Sequence, residues 1–134
     1  MGGPTTGGAD GVYGVLYQES YDFVPSGRFE ANTAWTDLNN NLWLFGGYFE
    51  RYNNSGDLND IWRYNIANGK WAWMGGSQQI DAPGNYGALG VESATNIPSG
   101  RNTYTHWANG KYLYFAGGEN TTSNTFTMTF GNLM

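Results

Sequence analysis

His106 is the single histidine of the chain, and no cysteine accompanies it. A transition-metal centre built on His106 would have to take its other ligands from distant carboxylates. The acidic candidates Asp57, Asp60, Asp81, Glu92 and Glu119 are scattered along the chain. Asn54-Ser55-Gly56-Asp57 has some calcium-loop residue types but lacks the spaced acidic series such a loop needs. A serine hydrolase holds its nucleophile in a strained elbow, and no Gly-X-Ser-X-Gly occurs. Asp57 and Asp60 read as turn-capping residues at a loop-to-strand junction, and His106 as an inner-strand residue. These residues point to no catalytic group, metal site or cofactor. Covalent modification is the remaining chemistry. Asn53-Asn54-Ser55 and Asn120-Thr121-Thr122 are acceptor sequons, each placed in the loop after a glycine doublet, so Asn53 and Asn120 are candidate N-glycosylation sites in a secreted source.

Composition narrows the partner classes. The net charge is −5 with six Lys and Arg and no basic cluster, whereas a nucleic-acid footprint needs a basic face. No apolar run approaches the roughly 20 residues of a membrane span. Met1 to Asp10 has neither the basic start nor the apolar centre of a signal peptide. With 134 residues, 40% hydrophobic and 17% aromatic, the chain has the length and the apolar content of one packed domain. Its 21 glycines follow no three-residue period and cluster between aromatic runs, as short strands joined by tight turns require.

The elements that position these residues are strands. No window keeps apolar residues at helical spacing for more than a turn, and β-branched and aromatic residues dominate the ordered runs. Strands are expected at Glu30–Thr36, Asn41–Gly46, Asp60–Tyr64 and Lys70–Met74, joined as an antiparallel meander. Turns fall at Asp37-Leu38-Asn39-Asn40 and at Asn65 to Gly69. A second set covers Asn102–Trp107, the hairpin signal Asn109-Gly110, Tyr112–Ala116 and Thr125–Phe130.

The chain also matches itself. Gly11-Val12-Tyr13-Gly14 corresponds to Gly84-Asn85-Tyr86-Gly87, and Pro25-Ser26-Gly27-Arg28 to Pro98-Ser99-Gly100-Arg101, both at one offset. The doublets Gly46-Gly47 and Gly117-Gly118 stand at a slightly shorter offset, and Trp35 and Trp107 differ by one residue in their distance from the matching arginines. A one-residue bulge in the first strand would reconcile the tryptophans. The long segments Thr6–Gly27 and Gly75–Gly100 are therefore expected to be ordered loops of one repeated conformation. Repeat arrays bury their apolar faces against neighbouring units rather than inside one closed core.

Leu42-Trp43-Leu44-Phe45-Gly46-Gly47, followed by Leu58-Asn59-Asp60-Ile61-Trp62-Arg63-Tyr64 and then Trp71, resembles a kelch repeat: an apolar strand ending in two glycines, a later Tyr, six residues, then Trp. The Gly-X-Tyr-Gly and Pro-Ser-Gly-Arg loops are similar to a kelch subgroup with long interblade loops. The second unit keeps its doublet but has no Tyr-then-Trp pair. The resemblance, over roughly nine tenths of the chain, implies an all-β fold: a partial β-propeller with about one complete four-stranded antiparallel blade and most of a second. It divides the chain into residues 1–27 (a loop from a preceding repeat), 28–75 (a complete blade), 76–100 (a long interblade loop) and 101–134 (an incomplete blade). Gly46, Gly47, Tyr64, Trp71, Gly117, Gly118, Arg28 and Arg101 become its structural motif, the arginines reaching carboxylates or carbonyls between blades. His106 would then be hydrogen-bonded on its inner strand or face the central channel. Kelch-bearing copper oxidases need a cysteine-linked tyrosine and paired histidines, and the sequence has neither.

The function implied is a non-enzymatic module for protein–protein contact or self-assembly into a ring or filament, extracellular or secreted, with a cytoplasmic setting as the alternative. A propeller closes with typically four to eight blades, so either the chain is a fragment of a longer protein or several copies assemble. Tyr48, Tyr52 and Tyr86 are the candidate interface anchors, on the loops Tyr48–Leu58, Gly75–Gly100 and Thr6–Gly27. The alternative is an extracellular carbohydrate-binding accessory domain in which exposed rings stack on sugars.

Overall fold

The computed structural model describes residues 7–31, 35–110, 112–120, 125–126 and 131–132. Among them every regular element is a strand: β1 (Glu19–Ser20), β2 (Trp35–Thr36), β3 (Leu42–Arg51), β4 (Asn54–Asn65), β5 (Lys70–Gly75), β6 (Thr105–Asn109), β7 (Tyr112–Ala116), β8 (Glu119–Asn120), β9 (Thr125–Phe126) and β10 (Gly131–Asn132). They form a five-stranded sheet in the order β1-β5-β4-β3-β2, a three-stranded sheet β10-β7-β6 and the pair β8-β9. All pairings are antiparallel.

The first sheet is built by side-chain turns that hold tight backbone. Asp37 closes the β2–β3 turn: its Oδ1 accepts from the amides of Asn39 (2.8 Å) and Asn41 (2.9 Å), and its Oδ2 from Trp43 Nε1 (2.8 Å). Asn65 and Asn68 do the same between β4 and β5, accepting from the amides of Ala67 (3.0 Å) and Lys70 (3.1 Å). These are the Asx turns that Asn and Asp favour.

Several expectations change here. β3 does not stop at Gly46-Gly47 but runs through the doublet, and its ladder with β4 shifts register between Phe45 and Gly47. Gly46 (φ 57°) and Gly47 (φ 98°) absorb the irregularity as a bulge. The expected loop Tyr48–Leu58 is consequently a hairpin extension, Gly47↔Leu58 to Arg51↔Asn54, turning at Tyr52-Asn53 with Asn53 at φ 63°. Asp57 and Asp60 thus lie inside β4, not at a loop-to-strand junction. In the first expected strand Glu30 takes φ 55°, and among the described residues Trp35–Thr36 pair with β3. Residues 32–34, part of the strand in which a bulge was expected, and most of Thr125–Phe130 lie outside the described residues. β1 comes from the expected N-terminal loop and adds a fifth strand beside β5.

The long loops repeat one conformation. Val12 bridges Val24 as Asn85 bridges Ile97, and Phe29 bridges Tyr48 as Asn102 bridges Glu119. Positive φ recurs at equivalent places: Gly14 (66°) and Gly87 (59°), Tyr17 (68°) and Gly90 (76°), Glu30 (55°) and Thr103 (50°).

The core lies between the two larger sheets. Trp35, Trp43, Phe45 and Ile61 of the first meet Leu113 and Phe115 of the second and Tyr104 just before β6. Phe45 stands 4.8 Å from the Phe115 ring and 5.5 Å from the Tyr104 ring. Burying a ring of this size removes about 150–250 Å² from water, roughly 4–6 kcal/mol gross.

Candidate functional site

The residues singled out in the sequence gather at the joint between units and at the loop ends. Arg28 and Arg101 occupy equivalent places. Arg28 Nη1 donates to the Gly46 carbonyl (3.0 Å) and Arg101 Nη1 to the Gly117 carbonyl (2.9 Å). Their Nε groups donate to the carbonyls of Ser26 and Ser99, and their Nη2 groups to the hydroxyls of the same serines. Each arginine thus ties a loop to a glycine doublet, whose second members Gly47 and Gly118 stand at φ 98° and 93°.

The two sites differ in charge balance. Arg28 forms a bidentate pair with Asp60 at 2.5 and 2.8 Å, and the Asp60 side chain is fully buried. Asp60 Oδ2 also accepts from Tyr13 Oη and Trp62 Nε1, both at 2.7 Å. Burial opposes the Arg28 charge, but Asp60 outweighs it and the guanidinium pKa stands above its ordinary value. Burial and the Asp60 charge push the Tyr13 phenol well above its usual range. At the second site Arg101 Nη2 donates to Tyr86 Oη (3.0 Å), and burial lowers the Arg101 pKa. Asp60 is the residue that sequence reasoning undervalued. Its signal was a carboxylate two positions before Trp62, in a strand otherwise heading into the core.

Tyr64 and Trp71 face each other in register with rings 4.9 Å apart, so the Tyr-then-Trp spacing closes one cross-strand contact. Tyr48 is half-buried against Phe29 (5.3 Å). Tyr52 is 91% exposed at the β3–β4 turn. Tyr86 shows part of its ring, while its hydroxyl accepts from the Ser99 amide and holds its loop to Arg101. Asn53 stands exposed on the hairpin turn, and Asn120 Nδ2 donates to the Gly100 carbonyl (2.7 Å). His106 packs edge-on to Trp35 (5.2 Å), and burial lowers its pKa.

An open depression of about 480 Å³ lies between the N-terminal loop, the β3–β4 hairpin and Gln78–Ile80. Its aromatic lining, Tyr13 and Phe49, is 9% and 4% exposed, so neither ring offers a flat face to a ligand. Among the described residues, no three His, Cys, Asp or Glu side chains gather where they could hold a metal ion. Nor is any helix long and apolar enough to cross a membrane.

The joint itself is the most developed contact surface. Trp35 Nε1 donates to the Trp107 carbonyl (3.1 Å), Tyr104 Oη to the Phe45 carbonyl, and Asn102 Nδ2 to Asp57 Oδ1 (2.6 Å). Backbone bonds run from the Arg101 amide to the Leu58 carbonyl (3.1 Å) and from the Gly47 amide to the Arg101 carbonyl (2.9 Å). A Cβ on Gly46 would lie 2.8 Å from the Arg101 carbonyl oxygen, so the doublet is where the second unit approaches closely. Compared with known proteins, the chain matches no family model and no curated protein.

Proposed function

We propose that the chain is a non-enzymatic interaction and structural module of kelch type, its two units being neighbouring wedges of a β-propeller. One observation carries this reading: the second unit repeats the loop, arginine and glycine geometry of the first and stacks on it through a buried aromatic joint keyed by Trp35. Wedge stacking of this kind is how repeat units bury faces they cannot cover alone. The module contacts protein through its tyrosines, Tyr52 foremost, then Tyr86 and the half-buried Tyr48. Asn53, on an exposed turn, is the better placed glycan acceptor if the chain is secreted.

The test uses the immobilised full chain. Capture of a protein partner that is lost in Tyr52→Ala, with an unchanged melting temperature, supports the module. Capture that survives replacement of Tyr48, Tyr52 and Tyr86 removes these anchors. Selective binding on a glycan array, lost with the same substitutions, would favour the carbohydrate-binding alternative.

A further inference from the structure

The geometry points to Asn109 as a site of spontaneous covalent modification: it deamidates through a succinimide formed with Gly110, while the other Asn-Gly pair of the chain, Asn68-Gly69, is held unreactive by the fold. This goes beyond the module reading and does not depend on it.

The reaction needs only the two residues and water. The backbone nitrogen of the glycine gives up its proton and attacks Cγ of the asparagine side chain. A C–N bond forms there as the C–N bond to the amide nitrogen breaks, and ammonia leaves. Water then opens the cyclic imide at either carbonyl. One opening leaves aspartate. The other leaves isoaspartate, whose main chain runs through Cβ and is one methylene longer. A following glycine favours the attack, because no Cβ obstructs it and the backbone turns readily into the reacting conformation. A free carboxamide and a backbone able to rotate are the two remaining requirements, and both are set by the fold.

The two pairs differ in both respects. Asn68 stands in the β4–β5 turn with its side chain tied at each end: Nδ2 donates to Glu19 Oε2 (2.8 Å), and Oδ1 accepts from the Lys70 amide (3.1 Å). The attacking nitrogen is occupied as well, since the Gly69 amide donates to the Asn65 carbonyl (2.8 Å). β1 braces this turn, with Glu19 also accepting from Arg63 Nη2 (2.8 Å) and the Lys70 ammonium lying over the Tyr21 ring. Asn109 and Gly110 are exposed at the tip of the β6–β7 hairpin, where Asn109↔Tyr112 is the last pair of the ladder. Among the described residues, neither the Asn109 carboxamide nor the Gly110 amide has a hydrogen-bond partner. Nothing lies within 4 Å of where a Cβ on Gly110 would stand. A ladder end of this kind opens at low cost. Releasing Asn68 breaks one bond to a carboxylate and two neutral ones, which makes its reactive conformation rarer by roughly tenfold or more.

The product alters the hairpin. Either opening adds a negative charge to a chain of net charge −5. Isoaspartate also lengthens the main chain at the tip, so the ladder from Asn109↔Tyr112 to Thr105↔Ala116 loses its register from that end. β6 supplies the Trp107 carbonyl that accepts from Trp35 Nε1 (3.1 Å), so the modified tip and the joint between the sheets share one strand. Modification at position 109 therefore loosens the joint.

The test incubates the folded full chain in warm, mildly alkaline buffer and follows the peptides containing Asn68 and Asn109 by mass spectrometry, with fragmentation that separates aspartate from isoaspartate. Conversion at position 109 should run roughly tenfold or more faster than at position 68. In concentrated urea the two rates should converge, which shows that the difference comes from the fold. Hydrogen exchange gives a reading without chemistry: the Gly69 amide should exchange more slowly than the Gly110 amide. The fraction modified at position 109, separated by charge, should melt below the unmodified chain. Equal rates in the folded chain, faster conversion at position 68, or an unchanged Asn109 under conditions where the urea-unfolded chain converts would each overturn the assignment. Equal melting temperatures would overturn the link to the joint. None of these outcomes bears on the module reading, which the tyrosine substitutions test separately.

Discussion

Asp60→Asn is nearly isosteric, yet it should be among the most damaging single changes in this chain. The carboxylate accepts four hydrogen bonds while fully buried: two from Arg28 at 2.5 and 2.8 Å, and one each from Tyr13 and Trp62 at 2.7 Å. An amide keeps one acceptor oxygen and turns two N–H donors toward groups that are themselves donors. It also leaves the Arg28 guanidinium, 6% exposed, without its counter-charge. Removing one partner of a buried ion pair costs about 3–5 kcal/mol. For 134 residues the unfolding entropy makes each kcal/mol worth about 3–4 °C. The melting temperature should therefore fall by roughly 10–18 °C, read by calorimetry on both proteins at neutral pH. Arg28→Met combined with Asp60→Leu should recover part of the loss, since no charge then remains buried. A fall of less than about 3 °C for Asp60→Asn would show that Arg28 finds adequate compensation elsewhere, and the argument from charge burial would fail.

Two further outcomes follow from the turns. Gly47→Ala places a Cβ 2.7 Å from that of Ala31 at φ 98°, and should lose about 2–4 kcal/mol in urea titration. Gly110→Ala, at φ 61° with nothing within 4 Å, should lose only about 1–2 kcal/mol; equal losses would disprove the steric account. For Asp37, burial raises its pKa, but hydrogen bonds from Trp43 and Asn41 outweigh burial and hold it below the usual range. A folded-state pKa below the unfolded one means stabilisation that is full above the unfolded value, about 3.9, and lost as pH falls through the folded one. Asp37→Asn should therefore flatten the acid side of the stability curve, and parallel urea-midpoint curves for variant and wild type would contradict this.

Much of the local structure was legible before any coordinates, because it depends on groups close together in the chain. Asn and Asp at Asp37–Asn40 and Asn65–Gly69 bond their own backbone, Asn109-Gly110 turns a hairpin, and alternating aromatics build strands. The internal match likewise announced two loops of one conformation, since equal residues at equal spacing face equal local constraints. The extent of β3 was not legible. Gly46-Gly47 looks like a stop by composition, and only pairing with β4 turns it into a bulge inside a longer strand. Nor was the role of Asp60 visible, because Arg28, Tyr13 and Trp62 reach it from separate parts of the chain. Which face of each sheet is covered was also a tertiary decision. Alternation defines two faces per strand, but the burial of Phe45 and the exposure of Trp107 depend on where the neighbouring unit stacks.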